Sequence, residues 1–127
     1  MIEQDRADAL GVLYAWDSTG SDSVDTEGVS TRAAHLAMGV VSNAEGIDQA
    51  ITDAATSWRI ERMAVVDRNI LRLGTFELQH TGLSRAIVID EAIRLAKEFS
   101  TAGSGKFING VLEKIATNVR DAEEPAS

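Results

Sequence analysis

The chain has 127 residues, 44% of them hydrophobic and 25% charged, which suits one globular domain and excludes a disordered polymer. It has no cysteine and two histidines, so disulfides, thiolate chemistry and a His-rich metal centre are excluded as organising features. Twenty acids against twelve bases leave a net charge of -8, so nucleic acid could be held only at a local basic patch.

From the N-terminus, Ala7, Leu10, Leu13 and Tyr14 form the first helical stripe. Met1 to Asp8 is acidic and lacks the apolar centre of a signal peptide, and no apolar stretch is long enough to span a bilayer, so a cytoplasmic setting is expected. Ser18 to Ser30, STGSDSVDTEGVS, has Val as its only apolar residue type and no base, and reads as a mobile acidic loop. Residues 1–28 hold seven acids and one base, which concentrates the negative charge at this end.

Ser30 or Thr31 can cap a second helix carrying Leu36, Ala37, Val40 and Val41. Ile47, Ile51, Ala54 and Trp58 make a third stripe. Met63, Val66, Ile70, Leu73 and Leu78 make a fourth, with Gly82 placed as its left-handed closing residue. Ser84 can cap a fifth through Ile89, Ala92, Ile93, Ala96 and Phe99. After a turn at Thr101 to Gly105, Ile108, Val111, Leu112, Ile115 and Val119 make a sixth. Residues 121–127 read as a tail. The pattern predicts an all-α domain of six helices spanning 1–127, with the boundary between its halves near Arg59 to Arg62. Trp58, Ile70, Leu73, Ile93 and Leu112 are its expected core.

The pair Asn109-Gly110 favours a hairpin turn, yet it lies within the clearest helical stripe. The stripe prevails, and glycine there costs the helix about 1 kcal/mol. Gly103-Ser-Gly-Lys-Phe107 imitates a phosphate loop but has Ser100 where the first glycine belongs and Phe107 where Ser or Thr belongs. No nucleophile, base and orienting group occur together, and no metal or cofactor is called for. Arg59, Arg62, Arg68 and Arg72 form the main basic concentration, which suits either a salt-bridged face or a docking surface. Lys106 and Phe107 open the sixth helix, where a cation and an aromatic ring can meet a phosphate and an unpaired base; periodicity alone also allows Phe107 in the core.

Residues 65–78, VVDRNILRLGTFEL, and 87–116, IVIDEAIRLAKEFSTAGSGKFINGVLEKIA, resemble the NusB family of bacterial transcription antitermination factors. Arg6, Ala9, Leu10, Leu13 and Tyr14 are similar to the family's first helix. The resemblance implies an all-α bundle of about six to seven helices in two three-helix groups, and a non-enzymatic protein that binds boxA, a short single-stranded element of ribosomal RNA leader transcripts. It implies a small-subunit ribosomal protein, NusE, as joint binder, and assembly with RNA polymerase and other Nus factors. Some members form homodimers.

By position, the resemblance assigns Arg6, Lys106, Phe107 and Asn109 to RNA, and Tyr14, Asp67 and Phe99 to the ribosomal protein or the border of its docking surface. Two departures stand out. Met1 to Asp5 contains no arginine where the family carries several, and Gly103 stands near the place of a family acid. The missing arginines leave room for an alternative, a NusB-fold protein-interaction module with weak or lost RNA binding.

Overall fold

The structure, a computed structural model, describes residues 2–123, with side chains described from 4 to 120. Among the described residues there are six α-helices and no strand: α1 (Ile2–Thr19), α2 (Thr31–Ser42), α3 (Ala44–Ala54), α4 (Val65–His80), α5 (Arg85–Phe99) and α6 (Ser104–Glu123). A 3-10 turn at Ile60–Arg62 separates the first three helices from the last three, where the sequence placed the division.

Helix starts follow the expected chemistry. The Ser30 and Ser84 hydroxyls accept the backbone N–H groups of Ala33 and Ile87 and so cap α2 and α5. The end of α4 differs from expectation. Gly82 has no left-handed backbone, and Thr81 closes the helix with its N–H and hydroxyl, both donating to the Glu77 carbonyl.

Helix α4 is the axis of the molecule. It touches α1, α2 and α3 on one side and α5 and α6 on the other. Residues 69–75 are therefore buried on every face, and α4 holds two charged residues inside, Arg72 and Glu77. Gly74 allows α6 to approach, since a Cβ there would lie 3.0 Å from a Leu112 methyl. The core unites both groups through Leu13, Ile47, Ile51, Ile70, Leu73, Ile108, Leu112 and Ile115.

Ile70, Leu73 and Leu112 are buried as expected and Ile93 is half-buried, but Trp58 is 58% exposed. Helix α3 ends at Ala54, so the fourth position of the third stripe falls beyond the helix and escapes its core-facing side.

The segment expected as a mobile loop is shorter than its composition suggests. Helix α1 runs on to Thr19, and Val24 and Val29 pack against the core. Side-chain to backbone bonds from Ser21 and Asp25 shape the turns between them. Helix α6 also continues through Glu123, beyond the expected start of the tail, and 124–127 lie outside the described residues.

Candidate nucleic-acid interface

The turn between α5 and α6 is tied to α4. The Ser100 hydroxyl donates to Asp67 at 2.5 Å and the Ser104 hydroxyl donates to its other oxygen at 2.9 Å. Ser104 is the first residue of α6, so this tie fixes where the helix begins and how its first turn is presented. Lys106 is exposed there and Phe107 is half-buried. The Phe107 ring meets Trp58 edge-on, with centroids 5.8 Å apart at 67°. Trp58 is placed by a backbone N–H bond of 3.0 Å to the Ala55 carbonyl, part of the bend that follows α3.

Two depressions flank this aromatic pair. One, of about 230 Å³, is bordered by Arg62, Met63, Asp67 and Ser104. The other, of about 300 Å³, is bordered by residues 54–57, Lys106 and Gly110, with no acid on its wall. Arg62 and Lys106 are exposed, and among the described residues neither is in an ion pair. Arg59 is exposed beside them and pairs loosely with Glu61 at 3.9 Å. The chain is acidic as a whole, but here it presents cations next to aromatic rings, a combination suited to phosphates and unstacked bases.

The residues expected at the RNA separate into two places. Lys106, Phe107 and Asn109 share the start of α6, and Asn109 is exposed one turn beyond Lys106. Arg6 is elsewhere. It is 2% exposed inside the bundle, where Nε donates to one Glu77 oxygen at 2.9 Å and Nη2 to the other at 2.8 Å. Burial opposes its charge, yet the hydrogen bonds and the Glu77 carboxylate more than compensate and hold the guanidinium above its ordinary pKa. Arg6 is therefore a fixed internal cation tying α1 to α4, and the expectation that it lies at an RNA surface is corrected.

The residues expected at the protein partner also divide. Tyr14 and Phe99, each 46% exposed, border one groove with Ala7, Leu10, Gly11 and Val66. Asp67 is not in that groove. It lines the depression beside Phe107, and both its oxygens are taken by serine hydroxyls.

The four-arginine concentration divides as well. Arg68 and Arg72 turn inward to Asp17, with Arg68 at 2.6 Å and Arg72 at 2.9 Å, and Arg72 also grips Asp48 at 2.8 Å. Arg72 lies 5.5 Å from the ring centre of Trp16. Only Arg59 and Arg62 remain for the surface. Two features were missed by reading spacing alone. Trp58 looked like core because it continued a stripe, although Thr56 and Ser57 before it are a break signal. The partnership of Arg6 with Glu77 joins residues 71 positions apart, and no local pattern encodes it.

The NusB family model matches residues 3–117, which takes in α1 to α5 and most of α6, with Trp58, Lys106 and Phe107 inside the matched span. The chain belongs to the NusB family. The transcription antitermination protein NusB of Sorangium cellulosum is 41% identical to this NusB-family chain, with 90% of each covered. That of Geotalea daltonii is 46% identical over 92% of this chain and 87% of its own. Among solved structures, T. maritima NusB superposes with a TM-score of 0.83 at 30% identity, covering 95% of this chain and 94% of that one. A chain in a crystal structure of the antitermination factors NusB and NusE in complex with dsRNA superposes with a TM-score of 0.78 at 29% identity, covering 91% of this chain and 96% of that one. The two-group helical architecture is thus the NusB architecture, and no helix among its described residues is long and apolar enough to cross a membrane.

Proposed function

We propose that this chain acts as a cytoplasmic, non-enzymatic transcription antitermination factor. It binds boxA-type single-stranded RNA of ribosomal RNA leader transcripts together with the ribosomal protein NusE, and the complex acts on RNA polymerase with other Nus factors. The observation that carries this reading is the exposed Lys106 beside the Trp58–Phe107 pair, at the start of α6, on a wall without acids. The ring is reachable rather than sealed, and among the described residues no acid pairs with the cation. The partner surface is the Tyr14–Phe99 groove, an apolar strip with a phenol at its edge.

The test is a titration of labelled boxA RNA with the chain, alone and with NusE, over a series of salt concentrations. Salt-sensitive binding that is tighter with NusE supports the reading, and its absence in both conditions defeats it. Lys106→Glu should weaken binding and flatten the salt dependence, with a slope smaller by about 0.7 for the lost phosphate contact plus whatever the new carboxylate repels.

A second reading, an interaction module with weak RNA binding of its own, is favoured by one observation. Arg6, the only base in residues 1–28, is consumed by Glu77, so the N-terminal helix offers RNA no cation among its described side chains. On this reading NusE binds while Lys106→Glu and Phe107→Ala change nothing.

A further inference from the structure

Gly110 occupies a helix-interior position where no described neighbour requires a glycine. Its backbone is not left-handed, and a Cβ built on it meets no atom within 4 Å. Gly39 and Gly74 are different, since a Cβ at either would press on Phe76 or Leu112. A helix interior disfavours glycine more than any residue but proline, and Asn109 before it is also a poor helix former. What Gly110 does have is a place. It borders the depression of about 300 Å³ whose walls include Trp58, Lys106 and Phe107, so a long side chain at 110 would be added at the rim of that space.

Resting on the RNA reading above, we propose that the bound strand crosses α6 at Gly110. The bare backbone lets one unpaired nucleotide enter the depression, with its phosphate at Lys106 and its base against the exposed Trp58 ring. The wall supplies a cation and aromatic faces and no carboxylate, which suits an anionic strand and stacking that tolerates any base. Gly110 is thus a binding-site residue kept small for its ligand at the expense of its own helix.

The experiment compares Gly110→Gln, Gly110→Ala and a control, Gly46→Gln, with the unaltered chain. Gly46 is also exposed, helical and free of neighbours at its Cβ, but lies on α3 away from this depression. Melting temperature and affinity for labelled boxA RNA are measured for each, the latter in the presence of NusE. All three variants are expected to melt no lower than the unaltered chain. Gly110→Gln should bind RNA roughly tenfold or more weakly, a loss comparable to that of one base–aromatic stack. Gly110→Ala should lose less, and Gly46→Gln nothing. If Gly110→Gln binds RNA within about twofold of the unaltered chain, the path across Gly110 is wrong while the functional reading stands. If the unaltered chain shows no salt-sensitive RNA binding, the functional reading fails and this one falls with it. If Gly110→Gln melts lower and Gly110→Ala binds as well as the unaltered chain, glycine serves the fold and the proposal is overturned.

Discussion

Arg6 shows how one side chain can look like a ligand-binding cation and be a structural one. Its guanidinium lies flat against both Glu77 oxygens, while its remaining nitrogen, Nη1, is buried without a hydrogen-bond partner. A buried pair of this kind gives modest net stability but is costly to break, because removing one member strands the other charge. Arg6→Met should therefore lower unfolding free energy by about 3–5 kcal/mol in a urea titration followed by circular dichroism. The double variant Arg6→Met with Glu77→Leu should recover most of that loss. A loss of RNA affinity in folded Arg6→Met, at unchanged stability, would return Arg6 to the binding surface. Trp58 is the opposite case, a large apolar residue left outside. Trp58→Ala should cost about 1–3 kcal/mol of stability, less than the loss of a fully buried tryptophan, since 58% of the residue is already in water while the rest packs against Phe107. The same variant should weaken RNA binding by about 1–3 kcal/mol if a base stacks on its ring, as a fluorescence titration would report.

Between elements, charge does the joining that apolar stripes cannot. Asp17, near the end of α1, receives Arg68, Asn69 and Arg72 from α4, and Arg72 passes the link to Asp48 on α3. The Arg68 hydrogen bond lowers the Asp17 pKa, burial opposes this, and Asn69 and Arg72 add to the lowering, so the carboxyl lies below its ordinary value. The stabilisation is then complete above the unfolded carboxylate value of about 3.9 and is lost as pH falls through the lower folded value. Asp17→Asn should cost about 1.5–3 kcal/mol at neutral pH, and the difference from the unaltered chain should shrink in acid, as unfolding at stepped pH would show. The helices themselves were legible from the spacing of Leu10, Leu36, Ile51, Ile70, Ile89 and Ile108, because each needs only neighbours three and four places away. The Asp17 network was not legible, since its members come from three helices and their composition is the same as that of a solvated surface.

For the molecule as a whole, the proposed function requires a chain of net charge -8 to hold a polyanion. Internal pairing does not change that balance: Asp17 and Glu77 meet buried or half-buried arginines and Asp5 lies 3.7 Å from Arg32, so each pair removes a base along with an acid and the net -8 stays with the other groups. The remaining acids repel RNA at long range, but at physiological ionic strength that repulsion is screened beyond about 8 Å. Contact therefore depends on the few cations beside the rings, chiefly Lys106 and Arg62. This part of the site was readable in sequence as Lys106-Phe107 at a helix start, whereas its other half, Trp58 with Arg62, comes from the bend between the helix groups and needed the fold to bring it there. The balance predicts the salt behaviour. With so few phosphate contacts the chain alone should show a shallow decline of log affinity against log salt, about 0.7 for each contact on a single strand. A ribosomal protein rich in bases would add contacts of its own, so the slope should steepen when NusE joins the complex. Filter-binding titrations across a salt series measure both slopes. A slope that is equally steep with and without NusE would mean that this chain carries the electrostatic contacts by itself, on a surface other than the start of α6.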